Sequence, residues 1–167
     1  TVQRCDWAQV DELMARYHDE EWGSSPESDN HYYEALMLEI FQAGLSWRTI
    51  LHRRDALRQA FAGFSIPVVA NFTEHEVDRL MENPEIIRHR QKIVAAVFNA
   101  RAFQAIQQHA GSFRNWIVQM PTEDTVIYEA LKPHLKFFGP TICTSFLEAI
   151  GKIPPPHDPH CWKYHAS

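Results

Sequence analysis

No uninterrupted apolar stretch in the 167 residues approaches the roughly 20 needed to cross a bilayer, so a membrane span is excluded. The N-terminus lacks a basic-then-apolar run, and no secretory leader is expected. Cysteine is scarce. The three present, Cys5, Cys143 and Cys161, cannot all pair, and a chain of this length needs no disulfide framework. A reducing cytoplasm is therefore the expected compartment. Strand-like alternation, internal repeats and low-complexity segments are all missing. A basic excess is missing too: the net charge of −5 does not advertise a nucleic-acid partner.

What is present is a 45% hydrophobic chain, long enough to bury one substantial core. The charge is unevenly placed. Residues 1–39 hold ten acidic residues against Arg4 and Arg16, a local net of −8, and residues 40–167 carry a net of +3. Two basic clusters lie in that remainder, Arg48/His52/Arg53/Arg54/Arg58 and Arg88/His89/Arg90/Lys92. Either could meet phosphates or form a solvated face.

Helical periodicity runs nearly throughout, so the fold class is all-α. Val10, Leu13, Met14 and Tyr17 predict a helix near 9–20. Ser28 or Asp29 caps a long helix ended by Gly44, and Ser46 caps the next. Asp55 heads a short helix through Phe61, and Thr73-Glu74-His75-Glu76 fits a capping box. Pro84 suits a first helical turn, with the helix reaching about His109. Further helices are expected at 113–117, 124–134 and from Pro140 to Gly151.

Between the last two lies Leu135-Lys136-Phe137-Phe138-Gly139-Pro140-Thr141-Ile142. Here Gly139 is expected to make a tight turn, and Pro140 starts a helix whose amides face outward. Such an element holds a phosphate without reading sequence, or serves as an ordinary helix connection.

Three further features carry chemistry. Cys5, His18, His157 and Cys161 supply the donor set of a closed tetrahedral zinc site. His160 and His165 compete as ligands, and the alternative is a buried small thiol with solvated histidines. Glu39 lies in the apolar run 35–45, where an unpaired carboxylate is costly. Tyr17, Trp22 and Trp47 are near it in sequence or pattern. Aromatic faces with one carboxylate suit a flat cationic ligand, unless Glu39 simply points to solvent at a helix edge.

Several blocks in order resemble the 3-methyladenine DNA glycosylase I family of the helix-hairpin-helix superfamily. They are Arg4-Cys5-Asp6-Trp7, Tyr17-His18-Asp19-Glu20-Glu21-Trp22-Gly23, Leu38-Glu39 with Gln42-Ala43-Gly44-Leu45-Ser46-Trp47, Ile86-Ile87-Arg88-His89-Arg90-Gln91-Lys92-Ile93 with Asn99-Ala100-Arg101-Ala102, and Phe138-Gly139-Pro140-Thr141-Ile142-Cys143. The resemblance implies a single glycosylase domain over 1–167, with two helical lobes and a cleft. Its helix-hairpin-helix element spans about 126–151. A structural zinc pins the ends 5–18 and 157–161 through Cys5, His18, His157 and Cys161. Glu39 is the implied catalytic residue and, with Tyr17, Trp22 and Trp47, binds the flipped base. Phe138, Gly139, Pro140 and Thr141 are the implied DNA contacts.

The implied reaction is base-excision repair of alkylated double-stranded DNA, releasing free 3-methyladenine. Thr141 stands where superfamily relatives with a Schiff-base lysine carry it, which implies a monofunctional enzyme. A monomer in the bacterial cytoplasm, associated with the nucleoid and not with a membrane, completes the expectation. The chain departs from the family at Met14, often tyrosine, at Thr144, often aromatic, and in a shortened 117–135 segment. Its tail before His157 is longer and rich in proline. These departures leave an inactive DNA- or lesion-binding protein of the same fold as the alternative, and a zinc-pinned interaction module as a third reading.

Overall fold

Four short polar side chains decide where helices begin in the computed structural model, which describes residues 2–165. Asp11 accepts from the Met14 amide and starts α1 (Glu12–Glu20). Ser28 does the same for α2 (Asp29–Gln42), Ser46 for α3 (Trp47–His52) and Ser112 for α8 (Phe113–Gln119). Each cap satisfies an amide that the first helical turn leaves free. The expected capping box is present, Glu76 accepting from the Thr73 amide at 2.7 Å at the head of α6 (Glu74–Met81). The remaining α-helices are α4 (Arg54–Ala60), α5 (Ile66–Ala70), α7 (Arg90–Ala110), α9 (Asp124–Leu131) and α10 (Pro140–Ala149). Among the described residues there is no strand, and no helix is long and apolar enough to cross a membrane.

Buried apolar side chains form two clusters of unequal size. The larger runs from α2 to α10, with α7 as its spine and Tyr33, Phe41, Phe61, Phe64, Phe103, Phe113 and Phe146 fully buried. The smaller holds Met14, Tyr17 and Leu51, with Trp7, Leu13, Trp22 and Trp47 packed on it. Gly23 and Gly151 tie the two. The Gly23 amide donates to Ala149 O at 2.9 Å, and a Cβ on Gly151 would lie 2.3 Å from Gly23 O. No residue but glycine fits that approach, and Gly151 also has φ +75°.

Several boundaries differ from the sequence expectation. The first helix starts at Glu12, not near 9, because Asp11 caps it and Asp6–Gln9 forms a separate 3-10 turn. Pro84 opens no helix. Asn83 Oδ1 accepts from the Glu85 amide, and Ile86 is buried from the connecting segment rather than from a helical face. The helix expected over 124–134 stops at Leu131, and Lys132–His134 is a 3-10 turn in which Pro133 has no amide to donate.

The turn before α10 is made by Phe137, at φ +57°, and not by Gly139, at φ −96°. Asn99 of α7 sets this segment, accepting from the Lys136 amide at 2.8 Å and donating to its carbonyl at 3.1 Å.

The Gly23–Gly151 approach yields a test. Gly151→Ala is expected to destabilise the fold by about 2–3 kcal/mol, through a backbone clash in a left-handed position. Urea unfolding followed by circular dichroism measures it, and an unchanged midpoint would show that the approach is not tight.

Candidate active site and metal-ligand cluster

A cavity of about 220 Å³ opens where the two clusters meet, lined by Trp7, Tyr17, Trp22, Glu39, Gln42, Trp47, Ser145 and Glu148. α1 delivers Tyr17, and the turn that follows it delivers Trp22. The last turn of α2 delivers Glu39 and Gln42. Trp47 is the first residue of α3, placed by the Ser46 cap. Tyr17 and Trp47 lie 5.3 Å apart at 58°, and Trp7 meets Trp22 edge-on at 5.1 Å. All four residues proposed for base binding are thus brought to one cavity. Met14, expected as an altered wall, is instead buried in the small cluster and does not line the cavity.

Glu39 is 8% exposed, and its carboxylate has no hydrogen-bond or ion-pair partner among the described residues. Burial, and then the Glu148 carboxylate, push it up to about 7. Glu148 is itself raised by burial and by Asp124. Burial and Glu39 push the Tyr17 hydroxyl well above its usual range, which keeps it a neutral donor. Such a cavity offers flat aromatic faces and acceptor oxygens but no cationic side chain.

Trp7, Gln42, Ser145 and Glu148 were not assigned to the site from sequence. Ser145 and Glu148 stand three apart on α10, so they share a face. Glu148 is a carboxylate among Phe146, Leu147, Ala149 and Ile150, the same signal that singled out Glu39.

Behind Trp22, four side chains from both ends of the chain converge. The donor atoms of Cys5, His18, His157 and Cys161 all lie within 4.8 Å of one another. Cys5 Sγ is 3.4 Å from His157 Nδ1, Cys161 Sγ is 3.5 Å from His18 Nε2, and Cys161 Sγ is 3.7 Å from His157 Nδ1. Tetrahedral zinc with ordinary bond lengths would separate sulfur and nitrogen ligands by about 3.6 Å, so the donor set fits a metal ion.

The surroundings fit as well. Asp19 meets His18 Nδ1 at 2.8 Å and is held by Arg4, which fixes the ring with Nε2 inward. The amides of Asp158 and Lys163 donate to the Cys5 and Cys161 sulfurs. Burial pushes the Cys5 thiol up to about 11, a penalty that a bound cation reverses, and lowers His157, favouring its neutral ligating form. Trp22 packs edge-on against His157 at 4.9 Å, so cluster and cavity share a wall.

The expected DNA contacts are placed at the head of α10. Pro140 and Thr141 are exposed, and a Cβ on Gly139 would meet nothing within 4 Å. Phe138 is the exception, 7% exposed and stacked on Tyr128, so only its backbone is available there.

The first basic cluster is largely spent inside the protein. Arg54 and Arg58 bind the buried Glu34, Arg54 also binds Glu21, and Arg48 and His52 bind Asp11. In the second cluster, Lys92 is buried and donates to Ala43 O at 2.8 Å, capping the end of α2. Arg90 pairs with Asp78.

Fold and cavity together define a helical protein that takes a flat, electron-poor ring between aromatic faces beside an ionisable carboxylate. Residues 7–134 match the profile of the methyladenine glycosylase family. DNA-3-methyladenine glycosylase 1 of Escherichia coli K12 is 36% identical, covering 91% of this chain and 92% of its own length. A crystal structure of 3-methyladenine DNA glycosylase I superposes with a TM-score of 0.87 at 37% identity, over 98% of this chain and 100% of that one. A Staphylococcus aureus 3-methyladenine DNA glycosylase I, solved for its recognition of 3-methyladenine, gives 0.83 at 33% identity over 96% and 94%. The chain belongs to the methyladenine glycosylase family.

Glu39 makes a pH-dependent prediction. A carboxyl raised in the folded state stabilises the fold fully below its unfolded pKa of 4.5, and that contribution is lost as pH rises through about 7. Glu39→Gln is therefore expected to match the parent at pH 5 and to exceed it at pH 8.5 by up to about 3 kcal/mol. Thermal unfolding at both pH values checks this, and equal differences at the two would refute the burial argument.

Proposed function

We propose that this chain excises 3-methyladenine from alkylated double-stranded DNA by hydrolysing the N-glycosidic bond, releasing the free base and leaving an abasic site. The observation that carries the reading is Glu39, buried without a partner in an aromatic cavity. 3-Methylation places a positive charge on adenine and weakens the glycosidic bond, so the base departs neutral and the protein need supply little acid catalysis. In a duplex the bond is out of reach, and the nucleotide must be flipped out. A lesion that pairs badly flips at lower cost.

The flipped cation stacks between Trp47 and the Tyr17 side of the cavity, with Trp22 closing it. Glu39 accepts hydrogen bonds from the ring's donors and is ionised by the charge it meets. Relatives of this family bear names that state the same activity on 3-methyladenine. On this reading residues 1–167 act as one glycosylase domain, monomeric and cytoplasmic, working at the bacterial nucleoid. Two lobes meet at the cavity, and the helix-hairpin-helix element spans about 126–151. There the amides at the head of α10, beside the open Gly139, hold a DNA phosphate. The Thr141 side chain has no amine for a Schiff base, which supports a monofunctional enzyme.

Zinc is the ion that two thiolates and two imidazoles favour at tetrahedral spacing. It would be held by Cys5, His18, His157 and Cys161, and bound there it supplies a cross-link between the chain ends and no chemistry at the base. An inactive lesion-binding descendant remains the alternative, but nothing in it would retain an unpaired buried carboxylate.

Two measurements test the reading. Incubated with methylated DNA, the protein is expected to release free 3-methyladenine, and Glu39→Gln to lose this by about 100-fold or more while staying folded. Undiminished release by the variant would remove Glu39 from the mechanism. Elemental analysis is expected to find about one zinc per chain, with chelation lowering the unfolding temperature. A fully folded, metal-free protein would overturn the zinc assignment.

A further inference from the structure

The cavity carries a second carboxylate that the reading above does not use. Glu148 projects from α10 and lines the same cavity as Glu39, which comes from α2 packed alongside. Neither carboxylate has a hydrogen-bond or ion-pair partner among the described residues, whereas Asp11, Asp19 and Glu34 are all paired with arginine. Glu39 is more than nine-tenths buried.

The groups facing the pair offer it no cation. From α1 comes the neutral Tyr17. From α3 comes Trp47, while Arg48 and His52 turn to Asp11. From α4, Arg54 and Arg58 are taken by Glu34 and Glu21. Lys92 of α7 is spent on the Phe41 and Ala43 carbonyls. From α9, Asp124 adds a further negative charge, tied to Thr144.

We propose that Glu148 is a second specificity-determining carboxylate of the base cavity. Together with Glu39 it sets two negative charges against one ring, so that the cavity separates positively charged purines from neutral ones of the same shape. Two carboxylates facing one poorly solvated space do not readily ionise together, and the pair holds a proton around neutral pH when nothing cationic is bound. A cationic ring displaces that proton and meets both charges. A neutral ring has nothing with which to displace it. The same asymmetry acts during turnover: the flipped base enters as a cation and leaves neutral, so the pair favours substrate over product.

The inference rests on the glycosylase reading, and its test is separable from it. The intact metal-loaded protein is titrated with 3,9-dimethyladeninium, a permanent cation, and with neutral 9-methyladenine, followed by tryptophan fluorescence between pH 6 and 8.5. The parent is expected to prefer the cation, and increasingly so as pH rises. Glu148→Gln should lower the cation-to-neutral affinity ratio about tenfold, the scale of one pK unit of charge interaction, and flatten its pH dependence. Glu148→Asp should restore both in large part.

A ratio in Glu148→Gln within twofold of the parent, or Glu148→Asp as low as Glu148→Gln, would overturn the proposal. Absence of base release by the parent sinks the functional reading instead, and the ring-binding ratio still decides for or against Glu148.

Discussion

A carboxylate held out of water with no partner is the constraint around which this molecule is arranged. Glu39 sits in the last turn of a helix whose neighbours Leu38, Ile40 and Phe41 are all buried in the large core. The helix cannot turn Glu39 outward without exposing them. The cavity is the solution: aromatic walls that exclude water, but an opening through which a charged ligand can supply what the protein withholds. Stability and function therefore pull against each other at this residue, a familiar trade at sites that keep strain for use. The surrounding framework has to be stiff enough to hold the cavity open at that cost.

Much of that stiffness comes from joining the two ends of the chain. α1 and the segment after it belong to the small aromatic cluster and would otherwise have little core of their own. Gly23 and Gly151 bring that segment against the end of α10, and Cys5, His18, His157 and Cys161 draw the proline-rich tail to the same place. Trp22 lies between, touching His157 on one side and lining the cavity on the other. A cross-link remote from the base thus fixes one wall of the base cavity. Lys92 does the corresponding work on the other side, tying α7 to the carbonyl end of α2 one turn beyond Glu39.

The sequence made the helices and the two residue sets legible for definite reasons. Caps such as Ser28, Ser46 and Thr73 are local, and periodicity is local, so the helices follow from neighbours alone. Cys5, His18, His157 and Cys161 stand out by donor chemistry, and Glu39 by its apolar surroundings. Features decided by tertiary contact were hidden. The left-handed turn residue is Phe137 rather than the more permissive Gly139, because Asn99, 37 residues away, fixes the backbone of Lys136 beside it. Ile86 looked helical since its burial resembles a helical face, yet it is buried from a connection. Glu148 escaped notice although its signal matches that of Glu39, because only the packing of α10 on α2 turns an isolated carboxylate into half of a pair.

Charge is where sequence totals mislead most. The acidic first quarter would repel DNA if its carboxylates faced solvent, but few of them act that way. Asp11, Asp19, Glu21 and Glu34 are joined to arginines or histidines, Asp29 accepts from the amides that open α8, and Glu39 faces the cavity. The basic cluster at 48–58 is what neutralises them, so its arginines are a structural counterweight rather than a DNA-binding surface. What is left to meet a phosphate backbone is the head of α10, where backbone amides rather than side-chain charge do the holding. A protein built this way grips DNA through few cationic contacts, and counterion release can contribute only modestly to its affinity. Selectivity must then come from the event that happens after binding, the entry of a charged ring into a cavity lined by carboxylates.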